Sequence, residues 1–194
     1  LNGFDNVIWE IGNQCGGSSV DWQYHMIRFI QEYEAQKPYQ HPIWMSLSVQ
    51  KAQKDLADCP ADAICLPKME DDPDNPPAVT GNKIIIADSG TIDPEMNAID
   101  STWAWKSFLR GMNPVLLDPY RDIQADSPEA PVPEYDKLRQ ALGQTRLYSK
   151  VVNLAQMIPH DELCSTGFCL ANPGEEYLAY QSQSEKLFWV DLPA

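Results

Sequence analysis

Basic residues are scarce in this chain: 14 lysines and arginines stand against 28 acidic residues among 194, which gives a formal net charge of −14. Nucleic acids and anionic membrane surfaces are bound through basic stripes, so this balance disfavours both kinds of partner. The chain also lacks an apolar run of the ~20 residues that a membrane-spanning helix needs. The charge is compatible with a protein that acts on neutral substrates such as sugars.

Cysteines and histidines are also few, and no cluster of them has the spacing of a metal site. The five cysteines are Cys15, Cys59, Cys65, Cys164 and Cys169. Their odd number and the absence of a two-residue spacing argue against zinc. Disulfides Cys59–Cys65 and Cys164–Cys169 could each close a small loop, and buried free thiols are the alternative. We therefore predict no metal and no cofactor.

Short apolar runs with polar ends predict parallel strands. Asn6–Ile11 is predicted to be a strand buried on both faces, and it is followed by the polar residues Gly12, Asn13 and Gln14. Lys83–Ala87 leads directly to Asp88, and Pro114–Leu117 leads to Asp118 and Tyr120. Further strands are predicted at Ile43–Val49 and Ala63–Leu66. The polar carboxyl ends of such strands are where barrel and open α/β folds hold their chemistry.

Helices are predicted between these strands, and residues that alternate with a period of two follow them. A helix from Val20, capped by Ser19, is predicted to bury one apolar face, formed by Trp22, Met26, Phe29, Ile30 and Tyr33. Further helices are predicted after an Asp100 or Ser101 cap, at Tyr135–Tyr148 and at Val151–Ile158. A hairpin is predicted at Phe168–Ala171 and Tyr177–Tyr180, with a third strand at Lys186–Leu192.

Several stretches resemble a known group of enzymes. Asn13-Gln14 resembles the Asn-Glu pair that closes the fourth strand in the clan A glycoside hydrolases. Asp21–Ile30, Trp103–Pro119 and Thr166–Tyr180 resemble the apiosidase-like glycoside hydrolases. Members of that family are barrel enzymes, often followed by a β-domain described as collagen-binding. The resemblance covers nearly the whole chain.

The resemblance implies the fold. Residues 1–160 are expected to be the carboxyl-terminal part of a (β/α)8 TIM barrel, strands four to eight, and residues 161–194 the start of an antiparallel β-domain. A complete eight-fold barrel typically needs about 250 residues. The amino-terminal part of the barrel, strands one to three, is therefore expected to be missing from this chain of 194 residues.

The resemblance also implies catalytic roles. Asp88 matches the position of the nucleophile, and Gln14 occupies the position of the acid/base glutamate. An amide is not a useful proton donor near neutral pH, so Glu10 and Asp118 are possible substitutes. The strand-seven ending of the family, Asp-Thr-Asp-His, reads Asp88-Ser89-Gly90-Thr91 here. Both catalytic strand ends thus depart from the family pattern.

Substrate contacts complete the predicted site. Asn13 would hydrogen-bond a sugar hydroxyl, as its family counterpart does. Trp44 and Tyr120 could stack on sugar rings, although buried aromatic residues are more often part of a core. Asp118 would reach the pocket from the end of the presumed eighth strand, with a simple turn role as the alternative.

Together these features predict a glycoside hydrolase that acts on side chains of plant-type or other polysaccharides. The alternative is a catalytically impaired relative that binds carbohydrate, since Gln14 replaces the acid/base glutamate. The expected partner is a carbohydrate, and the family implies an extracellular or periplasmic location.

Overall fold

The computed structural model describes residues 2–13, 15–46, 58–65, 78–79, 83–89, 100–116, 136–183 and 186–192. In these residues the protein is α/β, with a five-stranded parallel sheet and a separate three-stranded antiparallel sheet. The predicted α/β class is confirmed. The partial (β/α)8 barrel remains a prediction.

The parallel sheet is built in the order of the chain. Its strands are β1 (Trp9–Glu10), β2 (Ile43–Ser46), β3 (Ala63–Cys65), β4 (Ile84–Asp88) and β5 (Met112–Val115). The register pairs Glu10 with Trp44, Trp44 with Ala63, and Ala63 with Ile84. Parallel neighbours in chain order need crossover connections. Two of these contain helices in the described residues: Val20–Glu34 lies between β1 and β2, and Ser101–Leu109 lies between β4 and β5. The fifth strand begins two residues earlier than the predicted run at Pro114–Leu117.

The chain divides into two compact units, and the division falls within β4. The first unit is Leu1–Asp71 with Gly81–Ala87, and the second is Asp72–Thr80 with Asp88–Ala194. In the first unit the Lys83 ammonium donates to the carbonyl oxygens of Cys59, at 2.7 Å, and Ala61. These two hydrogen bonds hold the start of β4 against the segment before β3. The domain boundary predicted at residue 160 remains a prediction.

The prediction that the first strand is buried on both faces is wrong at Ile8, whose exposed fraction is 47%. In the residues that the structure describes, β1 is the first strand in the sheet order and therefore an edge. The backbone N–H groups of Trp9 and Ile11 donate to the carbonyls of Pro42 and Trp44. Since alternate residues of a parallel strand bond to opposite sides, the N–H of Glu10 faces away from β2.

Helix α1 (Val20–Glu34) is where it was predicted, but its predicted buried face is wrong. Phe29 and Tyr33 are exposed by 54% and 57%, and they stack on each other outside the core. The buried positions are Gln23, Ile27 and Glu34 instead. These residues lie on one side of the helix because they are spaced by four and seven residues.

Two hydrogen bonds accompany the burial of the Gln23 side-chain amide in this helix. The Gln23 Nε2 donates to Ser19 Oγ at 2.9 Å, and Ser19 Oγ donates to the carbonyl of Gly16 at 2.6 Å. Ser19 precedes the helix as predicted but makes no side-chain cap bond. Its hydroxyl instead accepts from the Gln23 amide nitrogen, while Gln23 Oε1 has no hydrogen-bond partner among the described residues.

The second unit contains helices α2 (Ser101–Leu109) and α3 (Asp136–Tyr148), which pack against each other. The predicted cap of α2 is confirmed, because Asp100 Oδ1 accepts a hydrogen bond from the Trp103 N–H at 2.9 Å. Leu109 at the end of α2 packs with Met157 and Leu170 in the core of this unit.

The antiparallel sheet comprises β6 (Ile158–Pro159), β7 (Cys169–Asn172) and β8 (Glu176–Ala179). The predicted hairpin is confirmed as β7 and β8, and Gly174 in its turn has a φ of +89°. The third strand is β6 rather than the predicted Lys186–Leu192, where one bridge joins Val190 to Cys164. The helix predicted at Val151–Ile158 is also wrong: a short 3-10 helix (Leu154–Gln156) leads to β6.

Candidate functional site

Strand register places three of the predicted site residues on one face of the parallel sheet. Glu10 pairs with Trp44, and Trp44 pairs with Ala63, so all three side chains share that face. Cys65 continues it on β3 and pairs with Ile86 on β4. Asp88 is two residues beyond Ile86 in the same strand and has the same orientation. Glu10, Trp44 and Asp88 thus share a face of the sheet.

The opposite face is turned toward helix α1. Trp9 alternates with Glu10 in β1, and its indole N–H donates to Glu34 Oε1 of the helix at 3.0 Å. The face that carries Glu10 and Asp88 is therefore the one that a barrel of this topology would turn inward. Ala63, Cys65 and Ile86 form a buried cluster on it, against which Trp44 packs.

Trp44 contributes a polar group as well as a ring. Its Nε1 is buried and has no hydrogen-bond partner in the part of the chain that the structure describes. A buried donor without a partner is costly, so this N–H is suited to a hydroxyl of a bound molecule. Stacking on a sugar was the predicted role of Trp44, and hydrogen bonding is the role that its surroundings favour.

The loop after β1 is hydrogen-bonded to the carboxyl end of β2. Ser46, the last residue of β2, donates from its hydroxyl to the carbonyl of Gly12 at 3.0 Å. A Cβ at Gly12 would lie 2.5 Å from the Cys15 sulfur, so a side chain there would displace the cysteine. Asn13 is exposed next to this fixed turn.

The remaining site residues differ in how far the structure describes them. Glu10 is exposed and Asp88 is half-buried at the end of β4. Gln14, Asp118 and Tyr120 lie outside the described residues, so their predicted roles remain predictions.

Glu34 and His41 form a buried ionic pair that the sequence did not predict. Glu34 Oε1 lies 2.7 Å from His41 Nδ1 and also accepts from the Asn2 amide and the Trp9 indole. Glu34 Oε2 accepts from the backbone N–H of His41 at 2.7 Å. Burial raises the pKa of Glu34, but the four hydrogen bonds outweigh it and lower the pKa to about 2.

The hydrogen bond of the second ring nitrogen shows that His41 is protonated. Nε2 lies 2.6 Å from the carbonyl oxygen of Phe4, which can only accept, as can the Glu34 carboxylate. Both ring nitrogens therefore carry protons, and the ring is an imidazolium. The hydrogen bond to Glu34, followed by that to Phe4, raises the pKa of His41. The pair lies at the amino ends of the strands, where residues of barrel folds serve stability rather than chemistry.

One signal in the sequence could have indicated this pair. A carboxylate in the last turn of a helix is disfavoured by the helix dipole, and Glu34 ends α1. A burial-compatible partner such as a nearby histidine is then expected. The described residues contain no group of three or more His, Cys, Asp or Glu side chains that could hold a metal ion.

Comparison with known proteins adds no assignment. No family model, no curated protein and no solved structure matches this chain. Among the described residues, no helix is long and apolar enough to cross a membrane.

Proposed function

We propose that this protein is a glycoside hydrolase whose chemistry takes place at the carboxyl ends of the parallel strands. The observation that supports this best is the shared face of Glu10, Trp44 and Asp88. The substrates would be side chains of plant-type or other polysaccharides, as the family resemblance implies. The same resemblance supports an extracellular or periplasmic location.

In this proposal Asp88 attacks the anomeric carbon or stabilises its positive charge, while Glu10 protonates the leaving oxygen. Glycoside hydrolysis needs two carboxyl groups, about 5 Å apart for retention and roughly 6.5–9.5 Å apart for inversion. Strands three steps apart in a flat sheet lie roughly 14 Å apart, given the usual strand spacing. The proposal therefore includes a sheet curled toward the face that these two side chains share.

The test is hydrolysis of aryl glycosides by the full chain and its variants. We expect Asp88→Asn and Glu10→Gln each to lower kcat by about 100- to 10,000-fold. With a strongly acidic phenol as leaving group, proton donation matters little, so Glu10→Gln should recover and Asp88→Asn should not. Glu32→Gln on exposed α1 is the matched control and should retain the parent rate. Equal rates for the parent and Asp88→Asn would refute the role of Asp88.

A carbohydrate-binding protein without hydrolysis is the second candidate, because an amide stands at position 14. Sugar binding with no hydrolysis, and no gain from Gln14→Glu, would favour it. Its binding site would use the unpartnered indole N–H, so Trp44→Phe should weaken binding. Trp103→Phe removes an equally unpartnered buried N–H from α2 and should leave binding unchanged.

A further inference from the structure

Cys164 and Cys169 belong to one buried cluster in the second unit. Their exposed fractions are 4% and 0%, and both pack with Ala171 against Tyr177 and Val190. The Cys164 sulfur lies 3.1 Å from the Thr166 hydroxyl, and Cys164 is close enough to Cys169 to raise the pKa of that thiol. Two cysteines in one buried cluster are the starting arrangement for a disulfide, provided that the backbone also brings the two residues close.

The backbone between the two residues supplies that approach. The N–H of Gly167 donates to the carbonyl of Cys164 at 3.2 Å and closes a four-residue turn. Gly167 has a φ of +73°, the left-handed conformation that glycine adopts without strain. The chain then returns through Phe168 to β7, so Cys169 lies against the start of the turn.

The other three thiols have different surroundings. Cys65 lies in the cluster of Ala63 and Ile86, which does not contain Cys59. The thiol of Cys59 is hydrogen-bonded to the backbone of Ala61 instead. Cys15 is half-buried beside Gly12. The structure has no disulfide among the five cysteines, all of which it describes. Of the two pairings that the sequence left open, Cys164 and Cys169 are the pair whose members share a buried cluster.

We propose that Cys164 and Cys169 are a disulfide-forming site: an oxidising medium joins them into an intramolecular disulfide, and a reducing medium leaves the same turn folded with two buried thiols. With oxidised glutathione as oxidant, the Cys164 thiolate attacks one glutathione sulfur and releases one reduced glutathione. The Cys169 thiolate then attacks the Cys164 sulfur of the mixed disulfide and releases the second. The two protons lost by the cysteines are taken up by the two glutathione thiolates.

The native surroundings slow this reaction without preventing it. Burial, and then the neighbouring Cys164, raises the pKa of Cys169 to about 11. The thiolate is the reacting form, so oxidation of the folded protein should become faster as the pH rises. Formation during folding, before the cluster is buried, should be faster than oxidation of the folded protein.

The disulfide would fasten the carboxyl-terminal segment. Cys164 forms a bridge with Val190, and its neighbours Leu163 and Ser165 exchange backbone hydrogen bonds with Asp191 and Trp189. A covalent link from Cys164 to β7 therefore stabilises the turn on which this segment lies. From the entropy of closing such a short loop, the thermal midpoint should rise by roughly 4–8 °C.

The test is thiol counting on the full chain refolded in a glutathione redox buffer. After denaturation and alkylation, we expect three modified cysteines, and five when the sample is first reduced. Cleavage after Phe168 separates the two cysteines, so the expected product is one pair of peptides joined by Cys164 and Cys169. Reduction should also lower the thermal midpoint of the parent chain.

Matched variants decide the assignment. Cys164→Ser and Cys169→Ser should each give four modified cysteines and lose the redox-dependent midpoint. Cys65→Ser, at an equally buried thiol, should keep the joined peptides. Five modified cysteines in the oxidised parent chain, or a disulfide mapped to Cys59 and Cys65, would overturn the proposal. If a serine variant does not fold, the peptide map of the parent chain still gives the answer.

Discussion

The imidazolium of His41 makes two hydrogen bonds that a neutral ring cannot make together. Its partners are the Glu34 carboxylate and the Phe4 carbonyl, and both only accept. Loss of the proton leaves one of these acceptors without its donor in a buried position. The same holds for Glu34, whose protonation removes an acceptor from four donors.

Stability should therefore pass through a maximum with pH. The pKa of Glu34 is lowered in the folded state, so its contribution is present above the ordinary value of 4.5 and is lost as the pH falls toward about 2. The pKa of His41 is raised, so its contribution is complete below the ordinary value of 6.5 and is lost as the pH rises through the folded value. We expect the highest thermal midpoint between about 4.5 and 6.5.

Substitution of Glu34 tests whether its pair with His41 causes this pH dependence of stability. Glu34→Gln should lower the thermal midpoint by roughly 4–10 °C, because a buried charge-assisted hydrogen-bond network is broken. It should also flatten the pH profile. The control is Glu162→Gln, which removes a carboxylate 2.7 Å from His160 on the surface and should change the midpoint little. Parallel profiles for the parent and Glu34→Gln, measured by calorimetry, would contradict the assignment.

At the level of single residues, sequence patterns located a strand end but not a tertiary contact. Asp88 was placed at a strand end because an apolar run of three isoleucines precedes it, and the structure has it at the end of β4. The pairing of Glu34 with His41 was not predicted because it joins the end of a helix to the residues just before a strand. Such a contact leaves no periodicity, only a carboxylate in an unfavourable helical position.

Helix α1 shows that the position of a helix can be predicted from sequence when its buried face cannot. Its predicted start at Val20 is confirmed, whereas its end at Glu34 comes three residues before Lys37-Pro38, the sequence signal for a helix end. Its buried face does not follow from hydrophobicity, because Gln23 and Glu34 are buried through specific partners. Hydrophobic periodicity assigns polar residues to solvent, and here tertiary hydrogen bonds override it.

Two glycines give a prediction with opposite signs for the same substitution. Gly174 in the β7–β8 turn has a φ of +89°, whereas Gly143 lies within helix α3, and an added Cβ meets nothing within 4 Å at either site. Gly174→Ala should destabilise the protein by about 1–2 kcal/mol through backbone strain alone. Gly143→Ala should stabilise it by about 0.5–1 kcal/mol, since alanine is the better helix former.

Equilibrium urea unfolding of the two alanine variants measures both effects. Each variant serves as the control for the other, because the added methyl group is the same and steric contact is absent at both positions. A stabilising Gly174→Ala would mean that the turn does not hold its left-handed residue in solution.

For the whole molecule, the α/β class could be predicted because buried parallel strands and helices differ in period and length. The third antiparallel strand could not, since β6 has two residues and ends in a proline. Strand sequences also do not predict how strongly a parallel sheet curves. The proposed catalysis requires such curvature, because Glu10 and Asp88 must approach each other across the face that they share.

The edge that β1 forms in the described part of the parallel sheet predicts how the molecule associates. β1 lies at the end of the sheet order, its Glu10 N–H faces away from β2, and Ile8 just before it is largely exposed. Edges of this kind pair with a second chain unless a charge blocks them. We expect concentration-dependent self-association, and Ile8→Lys should weaken it about 10- to 100-fold, as the burial of one isoleucine suggests.

Sedimentation velocity over a range of concentrations is the measurement. Val151→Lys is the control, because it introduces the same charge at a side chain that is 77% exposed in the turn after α3. The lysine at position 8 should favour the monomer and leave the thermal midpoint unchanged, since Ile8 makes little contact with the core. Equal dissociation constants for the two variants would assign the association to charge rather than to the β1 edge, and a parent chain that stays monomeric would show that this edge does not pair.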